Sequence, residues 1–200
     1  MSNEKRVRIL AVRHALTDGN LQSQVFGGAE LSINTEGEYQ AKVLARWLSR
    51  ADIDVVYTSP MVRCLQTAFI LLGDRLALGS VDDTQNSCLQ NQWLVQDRRI
   101  IERDYGEKEG APFAEVDYDR FWNSNNEIKY VGAEDLAAVR ARVQDFLSCM
   151  RERHCGQTVL CVTHGSVIRV MRGILVGGSF CGDYTKLDRT DNCEVLEFWV

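Results

Sequence analysis

The sequence carries only two prolines in 200 residues, Pro60 and Pro112, and its 15 glycines are scattered. No stretch therefore has the composition of a linker, and a chain of this length fits one domain. Internal repeats and low-complexity tracts are absent too, which excludes solenoids and fibrous arrays. No apolar run approaches the ~18–20 residues that cross a bilayer. The charged stretch Met1 to Arg8 precedes a run too short for a signal peptide, so a cytoplasmic location and no membrane partner are expected. Nor is there an excess of positive charge: the net charge is −5, with acids and bases interspersed. That argues against an extended nucleic-acid surface, although a phosphate pocket needs only a few converging arginines. The seven cysteines (64, 88, 149, 155, 161, 181 and 193) form no C-x-x-C pair. An odd number lying partly in apolar runs reads as free thiols in a reducing compartment, not as disulfides or a zinc site.

What the chain does have is apolar residues, 45% of the total, enough for a sizeable core. Three of its apolar runs read as buried strands: Val7–Val12, Asp54–Thr58 and Thr158–Thr163. Each stops at residues unsuited to a core. The first delivers Arg13 and His14 and turns at Asp18-Gly19. The second is followed by Ser59-Pro60, an expected N-cap and first helical proline, with Arg63 in the first turn of a helix through Met61 and Leu65 to Leu72. The third ends in His164-Gly165-Ser166, and a helix follows through Val170 and Met171 toward Leu175. Ligands of open α/β sheets bind beyond the carboxyl ends of the strands. A neutral imidazole can attack phosphorus, and an arginine fork can hold two phosphate oxygens.

The intervening segments are less uniform. Thr35-Glu36-Gly37-Glu38 has the form of a capping box opening a helix with Tyr39, Val43, Leu44, Trp47 and Leu48 at helical spacing. Weak strands are expected near Leu78–Val81 and Trp93–Val95. Ile100-Ile101 precede Glu102, an acid presented before a glycine-punctuated turn through Gly106 and Gly110. Pro112 to Tyr130 is aromatic and polar, either a cap over a site or a surface helix. Asp135 to His154 is a long amphipathic helix whose last residue, His154, reads as structural or solvent-facing. The final strand, Asn192–Trp199, alternates as a sheet edge does.

Arg13-His14, Ser59-Pro60 with Arg63 and Gln66-Thr67-Ala68, Glu102 with Gly106 and Gly110, and His164-Gly165 together resemble the histidine phosphatase superfamily. Glu102-Arg103-x-Tyr105-Gly106 is similar to its phosphoglycerate-mutase-like branch. Asn20, Leu31-Ser32 with Gly37 and Gln40-Ala41, Glu134 and Asn192 extend the match, in order, over nearly the whole chain. The resemblance implies a three-layer α/β/α fold with a mostly parallel central sheet; one domain over 1–200 is expected, with 100–130 a candidate cap over the site. The resemblance also implies a metal-independent phosphomonoesterase without a cofactor, acting on a small phosphorylated metabolite through a phosphohistidine. His14 would be the nucleophile, and Arg13, Arg63 and His164 the rest of the phosphate pocket. Glu102 would be the proton donor, Asn20 a secondary contact, and the Gly165 N–H a further phosphate ligand.

Elementary chemistry supports that division of roles. Phosphoryl transfer is mostly positioning and neutralisation of spread negative charge, which Arg13, Arg63 and a protonated His164 would supply. Glu102 must start protonated and His14 neutral. Arg98, Arg99, Arg103 and Lys108 suggest a contact to a second anionic group of the substrate, Arg103 being the nearest in sequence to Glu102. Alternatives are a cofactor-dependent phosphoglycerate mutase and a non-catalytic binding protein. Against a mutase, only Arg120 and Lys129 are basic between Gly110 and Tyr130. The chain departs from the family pattern at Ala15 and Leu16, where glycine and often an acid follow the nucleophile. Its Asn20–Gly28 loop is also one residue longer.

Overall fold

The structure, a computed structural model, describes residues 6–73, 94–175 and 182–200. Its sheet has five strands: β1 (Arg8–Arg13), β2 (Val55–Thr58), β3 (Leu94–Gln96), β4 (Thr158–Thr163) and β5 (Val195–Trp199). Their order is β3-β2-β4-β1-β5, with β5 antiparallel to β1 at one edge and every other pairing parallel. In this register Val12 and Thr58 both pair with Val162. The three strands thus end together, and the residues that follow them meet along one edge of the sheet.

Successive residues of a strand point to opposite faces. Ile9, Ala11, Tyr57, Val159 and Cys161 enter one core cluster, with α5 (Leu136–Arg153) and α6 (Gly165–Leu175) above them. Leu10, Val12, Val56, Leu160 and Val162 enter the other, beneath α2 (Thr35–Leu48) and α3 (Val62–Leu72). Both faces of the parallel strands are covered, which explains their unbroken apolar runs. The two short helices, α1 (Asp18–Leu21) and α4 (Tyr118–Phe121), lie in the loops above the strand ends.

Several local expectations shift. The cap of α2 is Asn34, whose side chain accepts from Gly37 N at 2.9 Å, one residue before Thr35. Its buried stripe is Gly37, Ala41 and Leu48, so Tyr39, Val43 and Trp47 face outward. Helix α3 starts after Met61, not at Pro60, and no side chain caps it. The strand expected near Trp93–Val95 is found as β3, and the one near Leu78–Val81 falls outside the described residues. Pro112–Tyr130 is no single helix: a 3₁₀ turn at Phe113–Glu115 and α4 are joined by loop. Phe121 and Trp122 anchor it in the core.

His154 closes α5, with Nε2 2.9 Å from the Tyr57 hydroxyl and Nδ1 2.7 Å from Gln157 Oε1, a structural role. Cys64, Cys149, Cys161 and Cys193 are free thiols. Among the described residues, no helix is long and apolar enough to cross a membrane. Gly106 needs its freedom on two counts. Its φ is +56°, and a Cβ there would run into backbone atoms of Val131 and Ala133. That close approach sets the turn after Glu102 against 131–133.

Candidate active site

His14 leaves β1 still bonded to the sheet, its N–H donating to Thr163 O at 2.8 Å. Asn192 Nδ2 donates to the His14 carbonyl at 2.8 Å. The next two N–H groups are held by side chains of the facing helices. Ala15 N donates to Thr67 Oγ1 at 2.9 Å and Leu16 N to Gln40 Oε1 at 3.3 Å. The polar motif residues are therefore a scaffold for the nucleophile loop. Ala15 is buried and its φ is not positive, so its methyl group meets no glycine-only conformation. The His14 ring is itself buried, with Nδ1 2.8 Å from the Ala15 carbonyl. Burial, then the Arg13 and Arg63 guanidiniums, push its pKa well below the ordinary 6.5.

The guanidiniums reach this ring from two elements. Arg13 ends β1, and its Nη1 donates to Thr190 O at 2.7 Å, while its Nε is buried without a partner. Gly165 packs against the same group: a Cβ added there would lie 3.6 Å from Arg13 Nε. Arg63, in the first turn of α3, donates to Ala29 O at 2.9 Å and Gly27 O at 3.0 Å. It ties the loop before α2 to the site.

His164 ends β4 with its ring centroid 5.3 Å from that of His14, at 61°. Its Nε2 lies 2.8 Å from Ser59 Oγ, which also accepts from Met61 N at 3.4 Å. Without a bound anion, the surroundings of His164 oppose its protonation. Burial, then Arg63, His14, Arg13 and Arg142, push its pKa well below 6.5, so the neutral ring is favoured. An anion placed between these cations would favour the protonated form.

Glu102 faces His164, with Oε2 4.0 Å from Nδ1. Its Oε1 accepts from Arg103 N at 3.0 Å and from the Ser166 hydroxyl. Burial raises its pKa above the ordinary 4.5, and Arg63, the Arg103 N–H, Arg13 and Arg142 oppose that rise. The backbone around Glu102 is gripped by Arg142 of α5. Its Nη1 donates to Arg99 O at 2.8 Å and Ile101 O at 2.7 Å. Glu134 holds that guanidinium through two bonds, at 2.8 and 2.9 Å.

Arg103 does not reach the cavity. It is fully buried, donating to the Phe121 and Glu134 carbonyls and pairing with Glu127 Oε1 at 2.6 Å. Its guanidinium lies 3.4 Å from the Phe121 ring centroid. Planar stacking and a buried carboxylate outcompete a substrate contact at this position. Arg99 is taken by Asp97 and Asp145, and neither Arg98 nor Lys108 lines the cavity.

Arg13, His14, Asn20, Arg63, Glu102 and Gly165 all line one cavity of about 390 Å³, a size suited to a small metabolite. His164 lies just behind it, within reach of Glu102. Asn20 Oδ1 is already bonded by Thr17 N and Asn192 Nδ2, both at 3.2 Å. Phe113, Tyr118 and Trp122, from the aromatic segment read as a cap or a surface helix, line the cavity wall, whereas sequence reasoning missed Arg169, Arg189 and Thr190. Arg169 had a readable signal, four residues after Gly165 and so on the same face of α6. Arg189 and Thr190 had none. Among the described residues no cluster of three His, Cys, Asp or Glu side chains is placed to hold a metal ion.

Residues 9–198 match the profile of the histidine phosphatase superfamily (branch 1). Phosphoserine phosphatase 1 of Hydrogenobacter thermophilus is 32% identical over 177 residues, 86% of this chain and 77% of that protein. Among solved structures, Bacillus stearothermophilus YhfR superposes with a TM-score of 0.79 at 23% identity, covering 96% of this chain and 90% of its own. Phosphoserine phosphatase from Entamoeba histolytica, in complex with 3-phosphoglyceric acid, superposes at 0.76 and 21% identity, with coverages of 96% and 90%.

Proposed function

We propose that this chain, a phosphatase that belongs to branch 1 of the histidine phosphatase superfamily, hydrolyses a small phosphomonoester through a phosphohistidine on His14. The observation that carries the reading is the tautomer of His14. A carbonyl oxygen only accepts, so the Nδ1 that faces the Ala15 carbonyl holds the proton and Nε2 keeps its lone pair. Arg13 and Arg63 line the same cavity as His14, which puts two guanidiniums beside the nitrogen that would meet a phosphoryl group.

In the first step Nε2 attacks phosphorus, the N–P bond forms, and the ester P–O bond breaks. Glu102 passes its proton to the departing oxygen, a transfer supported by the raised pKa of its carboxyl. Water then attacks the phosphohistidine, Glu102 takes up the proton, and phosphate leaves with the histidine lone pair restored. Arg13 and Arg63 offset the growing charge on the phosphoryl oxygens. The unpartnered Nε of Arg13 supports its place in that role.

A hydrolase is favoured over a mutase by the fate of two cations. Lys129 is bonded to Glu127 and Asp135, and Arg120 reaches Asp117 and the Asn126 carbonyl, while neither lines the cavity. Segment 100–130 is read as a cap, supported by Phe113, Tyr118 and Trp122 along the cavity wall. Phosphoserine is a candidate substrate, suggested by the names of two relatives. A cytoplasmic setting fits the free thiols.

The test is acid-labile phosphoenzyme, trapped by rapid quench with p-nitrophenyl phosphate in EDTA. Wild type should trap it at burst amplitude, and His14→Ala should lose both the trapped species and turnover. Undiminished turnover by His14→Ala would overturn the proposal.

A further inference from the structure

The two oxygens of Glu102 sit in unlike surroundings. Oε1 accepts from Arg103 N at 3.0 Å and from the Ser166 hydroxyl. Oε2 accepts no hydrogen bond from the described residues and faces His164 Nδ1 at 4.0 Å. Ser166 is the second residue of α6, buried, and part of the cavity lining. Its Oγ also lies 3.2 Å from Arg103 N, a group that can only donate. The hydroxyl therefore accepts there and gives its own hydrogen to Glu102 Oε1.

Nothing intrinsic to a glutamate tells its two oxygens apart, because its terminal torsion is broad and two-fold. An acid left to itself would divide its proton between them and turn freely. Two donors aimed at Oε1 leave no room for a hydrogen there, so the acidic proton belongs on Oε2. One of those donors is backbone, and the other is a side chain 64 residues away in sequence. Arg142, through the Arg99 and Ile101 carbonyls, fixes where this segment lies. Ser166 acts on how the carboxyl at its end is turned.

We infer that Ser166 is a positioning residue for the proton donor: its hydroxyl turns the Glu102 carboxyl so that Oε2 presents the transferable proton. The inference rests on Glu102 as the acid of the phosphatase reading and adds the residue that orients it. A hydroxyl bonds a carboxylate more strongly than a carboxylic acid, so Ser166 also favours the ionised form that takes up a proton in the second step. Arg13 of β1, Arg63 of α3, His164 of β4 and Arg142 of α5 face Glu102 as well, as do the titratable Cys64, Tyr105 and Tyr118. Between pH 5 and 9 the arginines stay charged, and burial keeps the thiol and both phenols neutral. All of these groups remain in a Ser166 variant, so a change in its pH profile reports the hydroxyl.

The test follows phosphorylation of His14 by rapid quench from pH 5 to 9, with glycerol 3-phosphate and with p-nitrophenyl phosphate. Ser166→Ala should slow the alkyl ester by roughly 10- to 10²-fold, the cost of a reacting group displaced by up to ~1 Å, and the aryl ester far less. The alkaline limb of its profile should move up by about one pH unit, because a hydrogen bond to the charged form is lost. Ser166→Thr keeps the hydroxyl and should return the limb to its wild-type position. In a Glu102→Gln background, Ser166→Ala should add nothing, since the proton it orients is already gone. A limb unmoved in Ser166→Ala or still displaced in Ser166→Thr overturns the inference. So do equal losses for the two esters, or a full further loss in the Glu102→Gln background. Failure of the underlying reading looks different: wild type traps no phosphoenzyme, or Glu102→Gln loses equally on both esters.

Discussion

Nδ1 of His14 lies 2.8 Å from the carbonyl oxygen of its own neighbour, Ala15. The bond costs nothing in side-chain partners, since both groups come from adjacent residues, and it aims the unprotonated nitrogen away from the strand. Its value depends on the ring remaining neutral, and the burial and flanking guanidiniums that lower its pKa secure that.

The pH dependence of phosphoenzyme formation follows from two opposite shifts. His14 lies well below 6.5, so acidifying through pH 6.5 leaves the nucleophile neutral. Glu102 lies above 4.5, so its proton persists at higher pH than an ordinary carboxyl allows. Single-turnover phosphorylation by an alkyl phosphate should therefore show no loss as pH falls from 7 toward 5. It should fall as pH rises through the Glu102 pKa, and Glu102→Gln should lack that fall. A half-maximal loss near pH 6.5 on the acid side would contradict the His14 assignment.

Stability has its own pH signature. His14 and His164 bind protons near pH 6.5 when unfolded but resist them when folded. Their contribution is present above pH 6.5 and is lost as pH falls below it, by about 1.4 kcal/mol per pH unit for each. Glu102 has the opposite sign, because its raised folded pKa adds stability as pH falls through that value. Urea unfolding between pH 7.5 and 5 should show a net decline, and His14→Asn should make it shallower.

Glu102→Gln keeps the pocket but cannot donate a proton. The phosphorylation step should lose ~10²–10⁴-fold with an alkyl phosphate. With p-nitrophenyl phosphate, whose leaving group needs little protonation, the loss should be much smaller. Equal losses, measured by rapid quench, would assign Glu102 to positioning and send the search for the proton donor to Glu107 or Glu109.

Arg142 holds the Arg99 and Ile101 carbonyls, and its Nη2 lies 3.4 Å from that of Glu102. Arg142→Met should let the acid drift, and a misplacement of ~1 Å costs about 10²-fold. The loss should fall on kcat with KM little changed, and it should be larger for alkyl than for aryl esters. A uniform loss across leaving groups would mean Arg142 only stabilises the fold.

Arg103 and Glu127 form a buried pair, so removing one partner strands the other. Arg103→Ala should cost ~3–5 kcal/mol in urea unfolding. Turnover of 3-phosphoglycerate should survive in the folded fraction. Its collapse would restore Arg103 as a substrate contact.

The chemistry of the strand ends was legible without coordinates. Val7–Val12, Asp54–Thr58 and Thr158–Thr163 each bury both faces, and such strands in a parallel sheet bring their carboxyl ends to one edge. Arg13, His14, Arg63 and Gly165 follow those ends directly, so their convergence is a matter of local order and strand period. Glu102 was legible only through its resemblance to a motif, because nothing local marks an acid as buried. The tertiary structure decided the rest. Whether an arginine meets a ligand or a carboxylate depends on what the fold brings beside it. Arg103 meets Glu127 and an aromatic ring, whereas Arg169, buried one turn from Gly165, meets only Tyr118, Trp122 and the cavity. Ser59 meets His164 across the sheet edge, and burial together with cations on other elements lowers the pKa of that histidine. These are contacts between residues far apart in sequence, set by packing and charge in three dimensions and not by any local pattern.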